Sequence, residues 1–100
     1  MDNVIDSLPE TFKKDIINAI EILKKYGCSE IYIFGSLVTG RYKESSDIDI
    51  AVKGLPVGLL IKAYSDLSFN LKHNIDLVNI DTKKEFAGLL SDIKELHRVA

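Results

Sequence analysis

Several features are rare or missing in this sequence of 100 residues, and each absence argues against a class of protein. The single cysteine, Cys28, cannot form an internal disulfide, which excludes a small scaffold held together by disulfides. No apolar run approaches the roughly 20 residues that a membrane-spanning helix needs. The stretch 1–12 lacks the basic and apolar regions of a signal peptide. We therefore expect a cytoplasmic protein without a membrane segment.

An excess of positive charge is also missing. The chain has 13 basic and 15 acidic side chains, which give a formal net charge of −2. A protein that binds along nucleic-acid phosphates usually carries a basic patch, so extended binding to DNA or RNA is disfavoured. Hydrophobic residues make up 46% of the chain, enough to build a single core at this length. We expect one domain that covers residues 1–100.

Three helices are predicted from apolar residues that recur at helical spacing. The first follows an S-x-x-E capping box at residues 7–10 and ends near Tyr26. The second covers about residues 55–71, where leucine and alanine recur four residues apart. The third follows another capping box at residues 82–85 and extends to about His97.

Three strands are predicted from runs of β-branched and aromatic residues, at 30–34, 46–52 and 74–80. The resulting order is helix, strand, loop, strand, helix, strand, helix. Such alternation is typical of an α/β fold. We expect a small mixed β-sheet flanked by helices.

Two aspartates interrupt the apolar pattern of the second predicted strand. Asp47 and Asp49 are two residues apart, and side chains along a strand alternate between its two faces. Both carboxylates therefore lie on one face, where they repel each other unless a cation lies between them. Asp76, in the third predicted strand, has similar apolar neighbours. If the third strand pairs with the second, three carboxylates converge.

Carboxylate oxygens on a rigid sheet suit Mg²⁺, which keeps some of its waters and completes its coordination with substrate phosphates. Two such ions, roughly 4 Å apart, can hold the attacking and leaving oxygens of a displacement at phosphorus. The pattern of Asp47, Asp49 and Asp76 therefore favours phosphoryl or nucleotidyl transfer. For Asp76 a simpler alternative stays open, because a single aspartate at a strand entrance is often only solvated.

A glycine and a serine follow the first predicted strand and suit the binding of phosphate. Gly35 has no side chain, so the backbone can turn sharply there and a ligand can approach closely. Ser36 offers a hydroxyl and a backbone N–H at the start of a turn or short helix. Arg41 and Lys43, in the following loop, are candidates to neutralise phosphate charge, although loop cations usually remain in solvent.

Together these residues resemble the motif of the nucleotidyltransferase superfamily that shares its core with DNA polymerase β. The family pattern is a Gly-Ser pair, a spacer and Asp-x-Asp. It stands here as Gly35, Ser36, ten residues and Asp47-Ile48-Asp49. The spacer length and the wording "GRYKESSDIDIAV" are most similar to the minimal nucleotidyltransferase group. The resemblance covers about residues 12–97 and implies a polymerase β-like core.

The resemblance also implies a role for each residue of the motif. Asp47 and Asp49 would bind two Mg²⁺ ions. Asp76 would complete the catalytic metal site and help to activate the acceptor hydroxyl. Gly35 and Ser36 would hold the terminal phosphates of ATP.

Members of the minimal group are similar in being encoded beside a small helical partner, a HEPN protein with an RNase-like site. The resemblance implies a toxin–antitoxin pair in which the transferase moves AMP from ATP onto a tyrosine of a HEPN-type toxin and silences it. The two proteins would then form a hetero-oligomer. Two alternatives remain open: a non-catalytic antitoxin that covers its partner, and a nucleotidyltransferase that modifies the hydroxyl of a small molecule.

Overall fold

The computed structural model describes residues 3–92 and 95–100. In chain order its elements are α1 (Asn3–Asp6), α2 (Glu10–Lys25), β1 (Glu30–Phe34), α3 (Ser36–Thr39), β2 (Ile48–Lys53), a 3₁₀ turn (Val57–Leu59), α4 (Leu60–Asn70), β3 (Ile75–Asn79), α5 (Lys84–Asp92) and β4 (His97–Arg98). In the part of the chain that is described, no helix combines the length and the apolar character needed to cross a membrane.

The strands form one sheet in the order β3-β2-β1-β4. β1 runs antiparallel to both β2 and β4, whereas β2 and β3 are parallel. Parallel neighbours need a long crossover, and α4 supplies it between β2 and β3. The prediction of a small mixed sheet with flanking helices is therefore confirmed.

The main core lies between one face of the sheet and the helices α2 and α4. Five buried residues of β1 and β2 form the sheet side of this core: Ile31, Ile33, Ile48, Ile50 and Val52. The buried apolar residues of α2 recur at helical spacing: Phe12, Ile16, Ala19 and Leu23. Full burial of one large apolar side chain stabilises a fold by about 1.5 to 3 kcal/mol. The apolar residues that recur at every second position of the strands and at helical spacing in α2 therefore meet in this core.

The opposite face of the sheet carries a smaller apolar cluster together with the acidic residues. Phe34 and Ala51 are buried there. The ring of Phe86, from α5, packs edge-on against Phe34 with 5.7 Å between the ring centroids. Asp47 and Asp76 remain exposed. This second face is thus only partly covered by α5, and its acidic part is open to solvent.

Both predicted capping boxes are wrong. The residue before α2 is Pro9, and it makes no side-chain capping hydrogen bond. A helix that began at Ser7 would need Leu8 in helical conformation directly before a proline, which is sterically disfavoured. The Thr82 hydroxyl donates to the Asn79 carbonyl, 3.2 Å away, and α5 begins later, at Lys84. Thr82 therefore belongs to a turn after β3 and does not cap α5.

The closing segment also differs from the prediction. α5 ends at Asp92, and His97, expected in the last helix, lies in strand β4. β4 pairs with β1, with His97 opposite Ile33 and Arg98 opposite Tyr32. A strand of two residues is too short to show alternation in the sequence. Its pairing gives backbone donors and acceptors at this edge of β1 their hydrogen-bond partners.

Candidate functional site

Three aspartates lie at the end of the sheet where β2 and β3 begin. The register places Asp49 of β2 beside Asp76 of β3, and Phe34 of β1 on the other side of Asp49. Asp47 directly precedes β2, and strand alternation places it on the same face as Asp49. β2 and β3 pair, which is the condition under which the three carboxylates converge, so they lie on one face of the sheet.

Gly35 lies directly against the carboxylate of Asp49. It has a φ of +75°, and a Cβ atom built on it would lie 2.3 Å from Oδ2 of Asp49. No heavy atom approaches another that closely without a bond, so only a residue without a side chain fits here. The missing Cβ thus lets β1 end in a sharp turn and leaves room for the Asp49 carboxylate at that turn.

The carboxylate of Asp49 has no hydrogen-bond or ion-pair partner among the described residues. The residue is half-buried. Burial, followed by the charges of Asp76 and Asp47, raises the pKa of Asp49 from 3.8 to about 6. A half-buried carboxylate that faces two others and lacks a donor is the arrangement that a divalent cation would stabilise.

The three carboxylates are nevertheless not drawn together as a ligand cluster. Within residues 3–92 and 95–100, no group of three or more His, Cys, Asp and Glu side chains is arranged so that it could hold a metal ion. Asp47 and Asp76 are exposed, and no described residue holds their side chains toward Asp49. The oxygen donors suit Mg²⁺ in kind, and their role as ligands stays a prediction.

The predicted phosphate-binding residues lie in the segment that joins β1 to β2. Ser36 starts α3, a helix of four residues. The Ser36 carbonyl accepts hydrogen bonds from the amides of Gly40 and Arg41, at 3.0 and 3.1 Å, which folds the loop back on itself. Arg41 and Lys43 are exposed, and neither forms an ion pair with a described residue. Their side chains are therefore available to a ligand.

A tight turn fixes the start of β2. The Lys43 amide donates to the Ser46 hydroxyl at 2.7 Å, and the Ser46 amide donates to the Lys43 carbonyl at 2.9 Å. These reciprocal bonds close residues 43–46 immediately before Asp47. Asp47 therefore lies between a hydrogen-bonded turn and the first residue of β2.

Another ionisable pair lies close to the site. Asp15 of α2 is 2% exposed, and its carboxylate is 2.7 Å from Nδ1 of His73. The sequence predicts no role for Asp15 and only a turn for His73. One signal was available, since Asp15 lies at helical spacing between the buried Phe12 and Ala19. An aspartate within an apolar stripe indicates a specific buried partner.

Three open clefts among the described residues lie away from the three aspartates. One runs between α2 and α4 beside Tyr26 and Asp66. A second lies beside residues 81–86, and a third lies between α2 and β4. None of these three clefts is lined by the carboxylates. Since Asp47 and Asp76 are exposed, the acidic site is open to a ligand or a second protein.

The raised pKa of Asp49 has a measurable effect on folding without metal. In the unfolded chain this carboxyl ionises near its usual value of 3.8, and in the folded protein near 6. The folded state is therefore favoured below about pH 4 and loses that advantage as the pH rises through 6. In EDTA at pH 8 we expect Asp49→Asn to be more stable than wild type by about 1 kcal/mol after solvent screening, or roughly 4 to 8 °C.

Thermal unfolding of both proteins between pH 4 and pH 8 measures this difference. It should shrink toward pH 4, where the wild-type carboxyl is protonated in the folded protein and partly protonated in the unfolded chain. A difference that is the same at both ends of the range would contradict the ionisation as its cause.

The family model described as "Polymerase beta, Nucleotidyltransferase" matches residues 10–95 of the chain. No curated protein sequence matches it. A toxin–antitoxin crystal structure with AMP-PNP contains a similar chain, with a TM-score of 0.55 and 30% identity over 68% of this chain and 56% of that one.

Two crystal structures of MntA–HpeT toxin–antitoxin variants are also similar. One, with two aspartate-to-glutamate substitutions two residues apart, has a TM-score of 0.55 and 27% identity over 65% of this chain and 56% of that one. The other, with a tyrosine-to-alanine substitution, has a TM-score of 0.68 and 23% identity over 85% and 71%. At that identity the likeness concerns the fold alone. The chain thus spans just over half the length of two of these three relatives.

Proposed function

The chain belongs to the polymerase beta nucleotidyltransferase family, and from this premise we propose that it moves AMP from ATP, with Mg²⁺, onto a hydroxyl of a protein partner. The acceptor that we propose is a tyrosine of a HEPN-type toxin, which the transfer silences, so that the chain acts as an antitoxin. The observation that carries this proposal is Asp49: a half-buried carboxylate without a described donor, in register with Asp76 and against the backbone of Gly35.

The position of each carboxylate indicates its role in the proposed reaction. Asp47 and Asp49 would hold two Mg²⁺ ions, and Asp76 would complete the site on the acceptor side. Bound there, the ions would offset negative charge on the phosphates and on the attacking oxygen. The acceptor oxygen forms a bond to the α-phosphorus, the bond to the pyrophosphate oxygen breaks, and Asp76 helps to accept the hydroxyl proton. The products are an AMP ester and pyrophosphate.

The segment after β1 would hold the triphosphate. At Gly35 the backbone is free of a side chain on the side of Asp49, so phosphate oxygens can approach both. Ser36 adds a hydroxyl one residue further on. Arg41 lacks an ion-pair partner among the described residues and offers a positive charge to the terminal phosphates. A triphosphate between this segment and the carboxylates would place its α-phosphorus near Asp76.

The comparisons support a protein as the acceptor. Two similar chains with at least 27% identity occur in toxin–antitoxin structures, one of them with AMP-PNP, a nucleotide of the ATP type. The two substituted aspartates in the MntA–HpeT variant have the same spacing as Asp47 and Asp49. Since a family of transferases has members in toxin–antitoxin pairs, silencing a toxin by AMP transfer is the simplest function that joins the two facts.

The sheet leaves an approach for such an acceptor. β3 is an edge strand among the described residues, and Asp76 on it is exposed. The Ile48 amide donates to the Asn74 carbonyl, and the Ile80 amide donates to the Val52 carbonyl. In a parallel ladder the residues between them alternate, so the backbone groups of Leu77 point away from β2. An extended segment of a partner can therefore lie along this edge with a side chain beside Asp76.

Incubation of the chain with candidate partner protein, Mg²⁺ and ATP labelled on the α-phosphate tests the proposal. Wild type should transfer the label to the partner, and the labelled residue should be a tyrosine by mass spectrometry. Asp76→Asn should lose labelling by about a hundredfold or more, as expected for loss of a proton acceptor and a metal ligand, while still binding the partner.

Other outcomes would contradict the proposal in recognisable ways. A tight complex that neutralises the toxin without labelling would show an antitoxin that acts by covering its partner. Efficient labelling of a small alcohol or aminoglycoside, with none of any protein, would show a small-molecule enzyme. Label from the γ-phosphate instead of the α-phosphate would show a kinase.

A further inference from the structure

The buried pair Asp15 and His73 is tied to the candidate site through the backbone. The Asp15 carboxylate accepts hydrogen bonds from the amide of Lys72, at 3.1 Å to Oδ1 and 3.0 Å to Oδ2, and from the amide of His73 at 2.8 Å. Nδ1 of His73 is a further 2.7 Å contact. One side chain of α2 therefore holds the backbone of the segment that leads from α4 into β3.

The imidazole of His73 has a second contact with the same helix. It stacks on the ring of Phe12 with 4.0 Å between centroids and an interplanar angle of 19°. Phe12 and Asp15 are three residues apart and so lie on one face of α2. The stack on Phe12 and the contact with the Asp15 carboxylate together fix the position of the imidazole relative to α2.

The segment 72–74 contacts the start of β2 and leads directly into β3. The Ile48 amide, between Asp47 and Asp49, donates to the Asn74 carbonyl at 2.9 Å. β3 begins one residue later, and its second residue is Asp76, in register with Asp49. A shift of residues 72–74 would therefore change the spacing of all three carboxylates.

Burial of the Asp15 carboxylate carries a desolvation cost. Burial acts to raise the pKa of Asp15, and the hydrogen bonds from His73 and Lys72 outweigh it, so that the pKa of Asp15 lies below its usual value. Buried ion pairs are often no more stabilising than apolar residues of the same volume. Since Asp15 directs its oxygens at two successive amides, what it adds is a fixed backbone position.

We propose that Asp15 and His73 are positioning residues that set the distance between Asp76 and the pair Asp47 and Asp49. Transfer and metal binding both depend on that distance, because misplacement of a reacting group by about 1 Å can cost about a hundredfold in rate. This inference rests on the proposed function for the metal and for the transfer. It concerns only residues of this chain.

Two variants and one matched control test the proposal. Asp15→Asn removes the charge that the two amides share, and His73→Phe keeps the stack on Phe12 while it removes Nδ1. The control, Tyr26→Phe, removes the hydrogen bond from the Tyr26 hydroxyl to Asp66 of α4. That bond links the residue after α2 to α4, and it does not involve the segment 72–74.

The readouts are the Mg²⁺ concentration that half-saturates binding, measured by calorimetry without ATP, and the kcat and KM for label transfer. We expect Asp15→Asn to raise the Mg²⁺ midpoint and lower kcat by about 10- to 100-fold each, as substitutions behind metal ligands do. The KM for ATP should change little. His73→Phe should have a smaller effect of the same kind, and Tyr26→Phe should have none.

A purely structural pair would give a different result. In that case Asp15→Asn and His73→Phe would lower the melting temperature, yet at a temperature where they are folded they would bind Mg²⁺ and transfer AMP like wild type. That result would overturn the proposal. If Asp15→Asn does not fold, His73→Phe carries the test, since the backbone bonds to Asp15 remain in it.

Failure of the proposed function gives a separate outcome. If wild type binds Mg²⁺ but labels no acceptor, the Mg²⁺ midpoints of the variants still decide the positioning role. If wild type binds no Mg²⁺, the amide chemical shifts of Ile48 and Asp76 decide it. They should move in Asp15→Asn and stay in Tyr26→Phe, and unmoved shifts in Asp15→Asn would overturn the proposal.

Discussion

Asp49→Asn is expected to reduce AMP transfer by about a thousandfold or more. Asparagine keeps the shape of the side chain but loses the charge that would hold a metal ion. The metal contribution to such a displacement is several kcal/mol, and each loss of roughly 1.36 kcal/mol lowers the rate tenfold. Single-turnover labelling with saturating partner measures the effect, and circular dichroism should show that the fold is intact.

Asp47→Asn should have an effect in the same direction. Asp47 is exposed where Asp49 is half-buried, so water can replace part of its interaction and a somewhat smaller loss is expected. The matched control is Glu44→Gln, which removes an exposed carboxylate three residues before Asp47 and should transfer at the wild-type rate. Near-normal transfer by Asp47→Asn or Asp49→Asn would remove the basis of the enzyme assignment.

Gly35→Ala is expected to lower both the stability of the fold and the rate of AMP transfer. Its methyl group would lie 2.3 Å from Oδ2 of Asp49, so the carboxylate or the turn has to move. The backbone at Gly35, with φ 75° and ψ −143°, lies near a region that is essentially restricted to glycine and costs other residues about 1 to 3 kcal/mol. We expect transfer to fall by about a hundredfold or more, because the displaced group is the proposed metal ligand Asp49.

Gly27→Ala separates the backbone effect from the clash. Gly27 also has a positive φ, +92°, but a Cβ there would meet nothing within 4 Å. Melting temperatures should fall for both variants, whereas Mg²⁺ binding and label transfer should be lost only in Gly35→Ala. Transfer at the wild-type rate by Gly35→Ala would show that Asp49 does not need its observed position.

The sequence alone determined those features that depend on near neighbours in the chain. Alternation along a strand placed Asp47 and Asp49 on one face before any partner strand was known. The Gly-Ser pair after an apolar run indicated the turn at the end of β1, and β1 itself has the predicted bounds. The helical stripes of α2 and α4 were visible because a period of 3.6 residues repeats within one element.

The tertiary structure decided what depends on contacts between distant residues. Asp76 lies beside Asp49 only because β2 and β3 are parallel and in that register. Asp15 meets His73 across 58 positions of sequence, and no local pattern contains that contact. The same holds for the pKa of Asp49, which burial and two neighbouring charges raise. Periodicity predicts which face a side chain takes, whereas its neighbours on that face follow from how the elements pack together.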